Sequence, residues 1–352
     1  MKGPVSNLVQ ISATVREAVS IMSQSKETYC ICVNSEEKVV GMFTDGDFRA
    51  GVFAGMQLDD PVGDHMNSNF FFLESPYDDR DIAAIYDNTI AQQLPVLRDG
   101  FLVDVVFRKK FEAGSKSGAI KSINSSVVIM AGGKGSRLDP FTRILPKPLI
   151  PLGNDPVIKV IMDKFGQFGL KEFYISVNEK SRMIKAYFND HDLPYNIQYL
   201  DEDQPLGTVG ALKILDGKLD SPVFVTNCDI IANTDYSKLM DFHIDGGYDL
   251  TLVGAMQNFT IPYGICEVRS DGSLIAIKEK PKYDFLVNTG LYVLNPDILC
   301  HIPSNTYFDI TDLINIIILE KGQVGVFPIS EHDWIDIGQW SEYREAVGKL
   351  GP

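Results

Sequence analysis

Long apolar runs are absent from this 352-residue chain. None approaches the roughly 18 residues that a membrane-spanning helix needs. The N-terminus also lacks a basic segment followed by an apolar core, which is the pattern of a secretory signal. These absences predict a cytoplasmic protein without a membrane partner.

Cysteine is scarce and scattered. The five thiols are odd in number and form no Cys-x-x-Cys pair, and the five histidines form no cluster in sequence. This spacing argues against a disulfide framework and against a zinc site, so reduced thiols are expected. Cys30 and Cys32 would share one face of a predicted strand at 29–33, where a core-facing pair is favoured over a redox pair.

Positive charge is also in short supply, with 32 Lys and Arg residues against 47 Asp and Glu residues and a net charge of −15. That balance opposes nonspecific binding to nucleic acid, so no nucleic-acid partner is expected. An anionic substrate must be captured by local cations. An apolar content of 45% is typical of a globular protein, and the length leaves room for two domains.

The first 110 or so residues contain a faint internal repeat of about sixty residues. Each copy predicts a capped helix, with a hydroxyl three residues before a carboxylate at Thr14 to Glu17 and at Ser75 to Asp78. Two strands joined by a polar turn follow each helix. The predicted strands are 29–33, 39–43, 93–97 and 102–107.

This repeat resembles a tandem pair of cystathionine β-synthase-type (CBS) domains over residues 8–110, most closely in Val-Gly-Met-Phe-Thr-Asp-Gly-Asp-Phe-Arg at 40–49. The resemblance implies that Thr44 and Asp47 hold the ribose of a regulatory nucleotide. The chemistry is sound, because a hydroxyl and a carboxylate can pair with two ribose hydroxyls.

The second copy departs from that pattern, because Phe107 and Lys110 stand where the Thr and Asp would be. At most one nucleotide site of this kind is therefore expected. The alternative is that the pair serves only packing or dimer formation, with Asp45-Gly46 as an ordinary turn. A homo-oligomer is expected.

The most informative stretch runs from Val127 to Ile150. A predicted buried strand at 127–130 leads into a loop whose glycines let backbone N–H groups approach phosphate oxygens. Arg137 and Lys147 add fixed positive charge, and the prolines on both sides of Lys147 restrict its backbone. The loop matches neither a P-loop nor a dinucleotide-binding turn. The glycines in question are Gly132, Gly133 and Gly135.

The pattern Gly-x-Gly-x-Arg-Leu-x-Pro-x-Thr, followed by Pro-Lys-Pro-Leu, resembles the sugar-1-phosphate nucleotidyltransferases, and the resemblance covers residues 124–350. Alternating helices and apolar strands predict the same α/β class, with a doubly wound, mostly parallel sheet. The predicted helices are 155–169, 179–188 and 208–215, and the predicted strands are 173–177, 197–200 and 223–226. We expect a smaller α+β CBS pair at 1–111, a Gly-, Ser- and Lys-rich linker at 112–124 and a catalytic domain at 125–352.

Two aspartates carry the metal prediction. Asp229 lies just beyond the predicted strand at 223–226, at the edge where open α/β sheets bind ligands. Asp336, in Trp-Ile-Asp-Ile-Gly at 334–338, matches the second metal carboxylate of the family. One or two carboxylates with substrate phosphates suit Mg²⁺. Taken alone, each Asp is also compatible with a helix cap or a turn.

The resemblance implies nucleotide contacts from Gly207 and Thr208, in Leu-Gly-Thr-Val-Gly-Ala-Leu at 206–212. Glu202 stands where uridylyl- and thymidylyl-transferring relatives commonly carry Gln. A carboxylate can pair with the adjacent N1 and N2 donors of guanine, so GTP is favoured. The alternative is an exposed acidic turn at 201–203.

Glu279-Lys280-Pro281 and Asn288-Thr289-Gly290 match the sugar-site segments of the family. The resemblance implies that Lys280 binds the phosphate of a sugar 1-phosphate and that Glu279 and Asn288 pair with ring hydroxyls. Gly264 would supply a backbone contact. Each segment alone is also typical of a surface turn.

These features predict transfer of a nucleoside monophosphate from a triphosphate, with GTP favoured, to a sugar 1-phosphate, which yields a nucleotide sugar and pyrophosphate. The tandem pair ahead of this unit looks like the guanylyltransferases of the legionaminic acid pathway, which act on glucosamine 1-phosphate. The nearer alternatives are mannose-, heptose- or glucose-1-phosphate guanylyl-, uridylyl- or cytidylyltransferases. An alternative of another class is a catalytically silent nucleotide sensor.

Overall fold

The computed structural model describes residues 7–25, 27–86, 89, 91–108, 111, 123–133, 135–338, 340 and 342–344. Contacts divide the chain into two compact units. The first unit comprises Met1–Ala119 and Phe259–Asp284, and the second comprises Ile120–Asn258 and Phe285–Pro352. No helix among these described residues has both the length and the apolar character needed to cross a membrane.

The first unit contains two copies of the order strand, helix, strand, strand. In each copy the first strand pairs in parallel with the second, which pairs antiparallel with the third. The elements are β1 (Leu8–Gln10), α1 (Val15–Ser25), β2 (Tyr29–Val33), β3 (Val39–Thr44), α2 (Asp45–Phe53), β4 (Leu73–Glu74), α3 (Asp79–Tyr86), β5 (Gln93–Arg98) and β6 (Phe101–Phe107). The predicted repeat and its four strands are thus present, whereas its assignment to the CBS type stays a prediction.

The helix starts of the two copies differ. In the first copy, the predicted box is confirmed: the Thr14 N–H donates to the Glu17 carboxylate at 2.7 Å, and the Glu17 N–H donates to the Thr14 hydroxyl at 3.2 Å. In the second copy, the predicted position is wrong. Asp78 and Asp81 form the box, with bonds of 3.0 and 3.2 Å, and the helix begins at Asp79.

The core of the first copy includes both cysteines of β2. Cys30 and Cys32 are free and buried, and burial raises the pKa of each thiol to about 12. This agrees with a core-facing pair of reduced thiols. Asp45 and Gly46, for which an ordinary turn was the alternative to a ligand site, form the first turn of α2 behind the N-cap Thr44.

The second unit is built around a seven-stranded sheet in the order β11-β10-β7-β12-β17-β14-β18. β7, β10, β11 and β12 pair in parallel, as do β14 and β18, whereas β12 pairs antiparallel with β17. The strands of this sheet are β7 (Ser126–Met130), β10 (Glu172–Val177), β11 (Asn196–Asp201), β12 (Val223–Asn227), β14 (Leu250–Thr260), β17 (Lys282–Leu294) and β18 (Val324–Ser330). The short strands of the second unit are β8 (Pro151–Leu152), β9 (Asp155–Pro156), β13 (Ile230–Ala232) and β19 (Trp334–Asp336), whereas β15 (Ile265–Val268) and β16 (Leu274–Lys278) belong to the first unit.

Apolar side chains cover both faces of this sheet. Val127 and Ile129 of β7 pack into one buried cluster, and Val128 and Met130 pack into another. Alternation along a strand buried on both faces explains the continuous apolar run in the sequence. The accompanying helices are α4 (Phe141–Ile144), α5 (Val157–Gly166), α6 (Ser181–Asn189), α7 (Tyr236–Asp245) and α8 (Ile310–Leu319). The predicted α/β class with a mainly parallel sheet is confirmed.

Several predicted helix bounds are wrong for local reasons. The helix expected from Asp155 begins at Val157, because Asp155–Pro156 pairs as a strand with Pro151–Leu152. The helix expected from Glu179 begins at Ser181, after Lys180 in the left-handed region. The helix expected at 208–215 is a 3₁₀ helix at Gly210–Leu215.

Candidate active site

The carboxyl ends of three neighbouring parallel strands define one edge of the large sheet. Gly132 follows β7, Asn178 follows β10 and Asp229 follows β12. Because the strands are parallel and adjacent, the loops that leave them meet at the same edge, where open α/β sheets bind ligands. The glycine-rich loop and the first predicted metal carboxylate are therefore neighbours.

Asp336 is brought to Asp229 by a short antiparallel pair. In the pairing of β13 with β19, Ile230 lies opposite Asp336, and the Ile337 N–H donates to the Asp229 carbonyl at 2.9 Å. A Cβ added to Gly338 would lie 2.8 Å from an oxygen of each carboxylate. The two acids therefore face the same point, Asp229 from just before β13 and Asp336 from the end of β19.

The charges around this point include both predicted cations. The Lys147 ammonium pairs with the Asp229 carboxylate, and their side chains are only 12% and 11% exposed. Burial is the main cause that raises the pKa of Asp336, and the charge of Asp229 adds to it. The Gly338 N–H, Lys147 and Arg137 act in the opposite direction on the same pKa. Two cations and two carboxylates thus share one site.

The donor set fits magnesium. Within the described part of the chain, no group of three or more His, Cys, Asp or Glu residues could enclose a metal ion. Asp229 and Asp336 offer hard carboxylate oxygens from two residues, which suits an ion that keeps several waters and takes substrate phosphates as further ligands. The close approach of two like charges also favours a divalent cation between them.

The glycine-rich loop leaves space for the side chain of Lys147. Gly135 has φ +65°, and a Cβ there would lie 3.0 Å from both Lys147 Cβ and Thr142 Cγ2. A side chain at this position would be strained and would displace the lysine. A Cβ on Gly133 would meet nothing within 4 Å, so that glycine leaves open space. Arg137 is exposed in a 3₁₀ turn at Ser136–Leu138.

Trp340 and Lys180, which the sequence analysis does not single out, stabilise this loop. The Trp340 indole N–H donates to the Asp139 carbonyl at 2.8 Å, and its ring packs on Phe141 with centroids 5.0 Å apart. The Lys180 ammonium donates to the Thr142 carbonyl at 2.5 Å from a backbone with φ 59°. The only feature of the sequence that drew attention to either residue was that tryptophan is rare and occurs twice in the chain.

Glu202 lies against the start of the same loop. A Cβ on Gly132 would come within 2.5 Å of Glu202 Oε1, and Glu202 Oε2 accepts from the Leu206 N–H at 3.1 Å. Burial raises the pKa of Glu202 and is the largest effect on it, whereas hydrogen bonds from Leu206 and Ser176 lower the same pKa. Glu202 is thus partly buried at the glycine loop, between the exposed Asp201 and Asp203.

Gly207 and Thr208 make contacts that stabilise the local structure. Gly207 has φ +80°, and a Cβ there would lie 2.6 Å from the Phe308 carbonyl oxygen. The Thr208 N–H and hydroxyl both donate to Asp309 Oδ1, at 3.0 and 3.1 Å, and the hydroxyl accepts from the Ile310 N–H at 2.8 Å. This pattern holds the start of α8, and the nucleotide role of Gly207 and Thr208 stays a prediction.

The predicted sugar-site residues fall in both units. In the second unit, the exposed Asn288 accepts from the Gly290 N–H at 3.1 Å, and a Cβ on Gly290 would lie 2.6 Å from the Asn227 amide nitrogen. In the first unit, a Cβ on Gly264 would lie 2.8 Å from Glu279 Oε2. The structure therefore brings Gly264 and Glu279 together, and Lys280 follows them in the same unit.

Thr44 and Asp47, predicted to bind ribose, contact each other. The Thr44 hydroxyl donates to Asp47 Oδ2 at 2.6 Å and accepts from the Asp47 N–H at 3.2 Å, while the Thr44 N–H also donates to Asp47 Oδ2 at 2.8 Å. They form a capping box at the start of α2. In the second copy, Phe107 ends β6, and Lys110 lies outside the described residues.

More than half of the chain matches a known protein family. A sequence model of the nucleotidyl transferase family matches residues 126–351. A mannose-1-phosphate guanyltransferase of Aspergillus fumigatus is 32% identical over 226 residues, which cover 61% of each chain. A UTP–glucose-1-phosphate uridylyltransferase of Synechocystis is 26% identical and covers 62% of each chain. The chain thus spans about three fifths of the length of these relatives.

A solved structure is similar to about two thirds of the chain. The crystal structure of HddC from Yersinia pseudotuberculosis is 26% identical, with a TM-score of 0.50, over 64% of this chain and 99% of that one. The share of the chain that this structure matches is close to the share that the family model covers.

Proposed function

Because the chain belongs to the nucleotidyl transferase family, we propose that it transfers a nucleoside monophosphate from GTP to a sugar 1-phosphate and releases pyrophosphate. The observation that carries the proposal is the convergence of Asp229 and Asp336 on one point, beside Lys147 and within the electrostatic reach of Arg137. Side chains from three distant segments of the chain would not share a site by local structure alone.

The chain's own groups divide the work of substitution at phosphorus. The open space at Gly133 leaves room for phosphate oxygens beside the loop. Arg137 and Lys147 neutralise the charge that builds on the α-phosphate and the leaving pyrophosphate. The phosphate oxygen of the sugar 1-phosphate then attacks in line, without a covalent intermediate. Asp229 and Asp336 would hold Mg²⁺, which supplies charge neutralisation across the phosphates when bound.

Lys147 has a second role in this proposal. Its ion pair with Asp229 fixes the ammonium at the carboxylate edge, with the side chain almost buried. A lysine held in this way needs little reorganisation when phosphates arrive, because its position is already set by Gly135 and the flanking prolines. The silent-sensor alternative gives no reason for these four charges to coincide.

Guanine is supported by two independent observations. Glu202 places a partly buried carboxylate at the first glycine of the loop, where it can accept from the N1 and N2 donors of a guanine. The fungal relatives at 31–32% identity are named guanyltransferases. A uridylyltransferase is also among the relatives, at 26% identity.

For the sugar, two candidates have specific support. Glucosamine 1-phosphate follows from the resemblance of the N-terminal repeat and catalytic unit to the guanylyltransferases of the legionaminic acid pathway. Mannose 1-phosphate follows from the names of the fungal relatives. A regulatory nucleotide at the repeat, a homo-oligomeric state and a cytoplasmic location remain predictions.

The test is pyrophosphate release from five triphosphates (ATP, GTP, CTP, UTP and dTTP), crossed with glucosamine, mannose, heptose and glucose 1-phosphates, with and without Mg²⁺. We expect release that needs Mg²⁺ and is fastest with GTP. Faster turnover with UTP or CTP would contradict the base assignment. No release with any pair would contradict the enzymatic function itself.

A further inference from the structure

The two cations of the glycine-rich loop are held in different ways. The Lys147 ammonium pairs with Asp229, and its side chain is only 12% exposed. Arg137 is exposed, and its guanidinium makes no hydrogen bond or ion pair with another described residue. Arg137 nevertheless lies within the electrostatic reach of Asp336. Its place beside the carboxylates therefore depends on the main chain of the loop.

Two side chains from outside the loop bind that main chain. The Trp340 indole N–H donates to the Asp139 carbonyl, two residues beyond Arg137, and the Lys180 ammonium donates to the Thr142 carbonyl. A donor that binds a main-chain carbonyl restricts the path of the chain, because the whole peptide group is planar and moves as one unit. The loop is thus fixed at two points close to Arg137.

Trp340 belongs to the same short segment as the second carboxylate. Asp336 ends β19, its Oδ1 accepts from the Gly338 N–H at 2.7 Å, and Trp340 follows two residues later. The Trp340 ring also packs on Phe141 of the loop. Trp340 therefore joins the segment that contains Asp336 to the loop that contains Arg137.

Lys180 reaches the loop from the segment that follows β10. It has φ 59°, a left-handed conformation that lysine rarely adopts and that persists only where the surrounding structure holds it. The hydrogen bond to the Thr142 carbonyl is one contact that holds it. Lys180 and Trp340 thus approach the loop from two different segments of the second unit.

We propose that Trp340 and Lys180 are positioning residues for Arg137, which fix the main chain of the loop so that the guanidinium stays beside the two carboxylates; this inference rests on the proposed function. Neither residue touches substrate in this scheme. An arginine that stabilises a reacting phosphate must be in place before the substrate arrives, because small displacements of such a group cost much of its effect.

The experiment compares Trp340→Phe and Lys180→Met with Tyr343→Phe. Trp340→Phe removes the indole N–H and keeps an aromatic ring against Phe141, and Lys180→Met removes the ammonium and keeps an unbranched side chain. Tyr343→Phe is the matched control, because the Tyr343 hydroxyl donates to the Pro151 carbonyl at 2.8 Å. This bond is of the same kind and comes from the same segment as that of Trp340, but it ends outside the loop.

The measurements are kcat, KM for GTP, KM for the sugar 1-phosphate, the midpoint of thermal unfolding, and amide hydrogen exchange of the peptide covering 135–147 without substrate. Trp340→Phe and Lys180→Met are also each combined with Arg137→Ala. The combined variants show whether the two residues act through Arg137.

We expect Trp340→Phe and Lys180→Met each to lower kcat about threefold to thirtyfold, less than Arg137→Ala does, and to change KM for the sugar 1-phosphate less than about twofold. Combined with Arg137→Ala, each should lower kcat by less than a further factor of about two, because the group that it positions is already absent. Exchange at 135–147 should be faster in both variants than in Tyr343→Phe.

A full additional loss of kcat in the combined variants would overturn the inference, because the two residues would then act on something other than Arg137. A kcat in Trp340→Phe and Lys180→Met equal to that of Tyr343→Phe would also overturn it. An unchanged midpoint of thermal unfolding separates a loss of kcat from a loss of folded protein, and Lys180→Met tests the same loop if Trp340→Phe is unstable.

The proposed function can fail separately. If the unmodified protein releases no pyrophosphate with any substrate pair, that function fails, and exchange alone decides whether Trp340 and Lys180 order the loop. Faster exchange at 135–147 than in Tyr343→Phe supports the ordering of the loop, and equal exchange overturns it.

Discussion

Two pairs of residues predicted to bind ligands behave differently in the two units. In the second unit, Asp229 and Asp336 come from distant segments and meet through the pairing of β13 with β19. In the first unit, Thr44 and Asp47 lie three residues apart and satisfy each other across the start of a helix. Both pairs have side chains that suit a ligand, and both match a family pattern in the sequence. Only Asp229 and Asp336 depend on the fold of the whole unit to come together.

The difference shows how far spacing alone can indicate function. A hydroxyl followed three residues later by a carboxylate has a local structural use at any helix start, so the pattern has an explanation without a ligand. Two carboxylates that meet across a sheet, beside a buried lysine, have no such local use, and their mutual repulsion must be offset by something. Convergence from distant segments is therefore the stronger indicator of a binding site.

The largest effect should come from breaking the convergent site. Lys147→Ala and Asp229→Ala should each cost about 2–4 kcal/mol of transition-state stabilisation, since each removes one preorganised charge at the reacting phosphate. The measurement is kcat/KM for pyrophosphate release. Lys159→Ala is the matched control, because it removes a lysine of helix α5 that pairs with Asp155 and Asp163. Release at the unmodified rate from either active-site variant would remove the assignment.

Glu202 is the intermediate case, because its carboxylate has a local partner in the Leu206 N–H and also faces the glycine loop. Glu202→Gln keeps the shape and the acceptor for Leu206. If the carboxylate binds guanine, kcat/KM for GTP should fall by about tenfold to a hundredfold, the range for a lost hydrogen bond to a charged group. The kcat/KM for UTP should stay unchanged or rise.

The ratio of the two kcat/KM values is the measurement that sharpens the comparison. A Glu202→Gln variant that loses the same factor with GTP and with UTP would show that the carboxylate serves only the loop. Thermal unfolding of the variant separates this outcome from a general loss of folded protein.

The smallest effect should come from the local pair. Thr44→Ala removes a capping hydroxyl and should cost about 1 kcal/mol of stability, which lowers the midpoint of thermal unfolding by a few degrees. Thr44→Ser, which keeps the hydroxyl, should behave like the unmodified protein, and pyrophosphate release should be the same in all three. A thermal shift with AMP or ADP that Thr44→Ala abolishes and Thr44→Ser keeps would instead show that this pair binds a nucleotide.

Local signals in the sequence predicted much of the fold. The five residues of β2 were found with both bounds correct, because apolar β-branched and aromatic residues lie between polar turns. The glycine loop and its cations were also visible in the sequence. Helix boundaries were predicted less well than strands. The second helix of the repeat starts after a box formed by Asp78 and Asp81 and not after Ser75, and a short strand pairing at Asp155 delays the start of α5.

The candidate site was only partly accessible from the sequence. Asp229 and Asp336 could be named, but their meeting depends on β13 and β19, which are three residues long and too short to show a period. The supports of the phosphate loop from Lys180 and Trp340 were not predicted at all, since each binds a backbone carbonyl that no residue type reveals. Tertiary hydrogen bonds to the main chain leave no pattern in side-chain identity.

The contact between Trp340 and the Asp139 carbonyl gives the molecule an optical reporter of its own. The chain has two indoles, Trp334 and Trp340, and both lie on the short segment that contains Asp336. Tryptophan fluorescence therefore arises beside the two carboxylates and the loop that contains Arg137. Titration of an unlabelled protein can follow the arrival of a nucleotide there directly, with no dye attached and no turnover required.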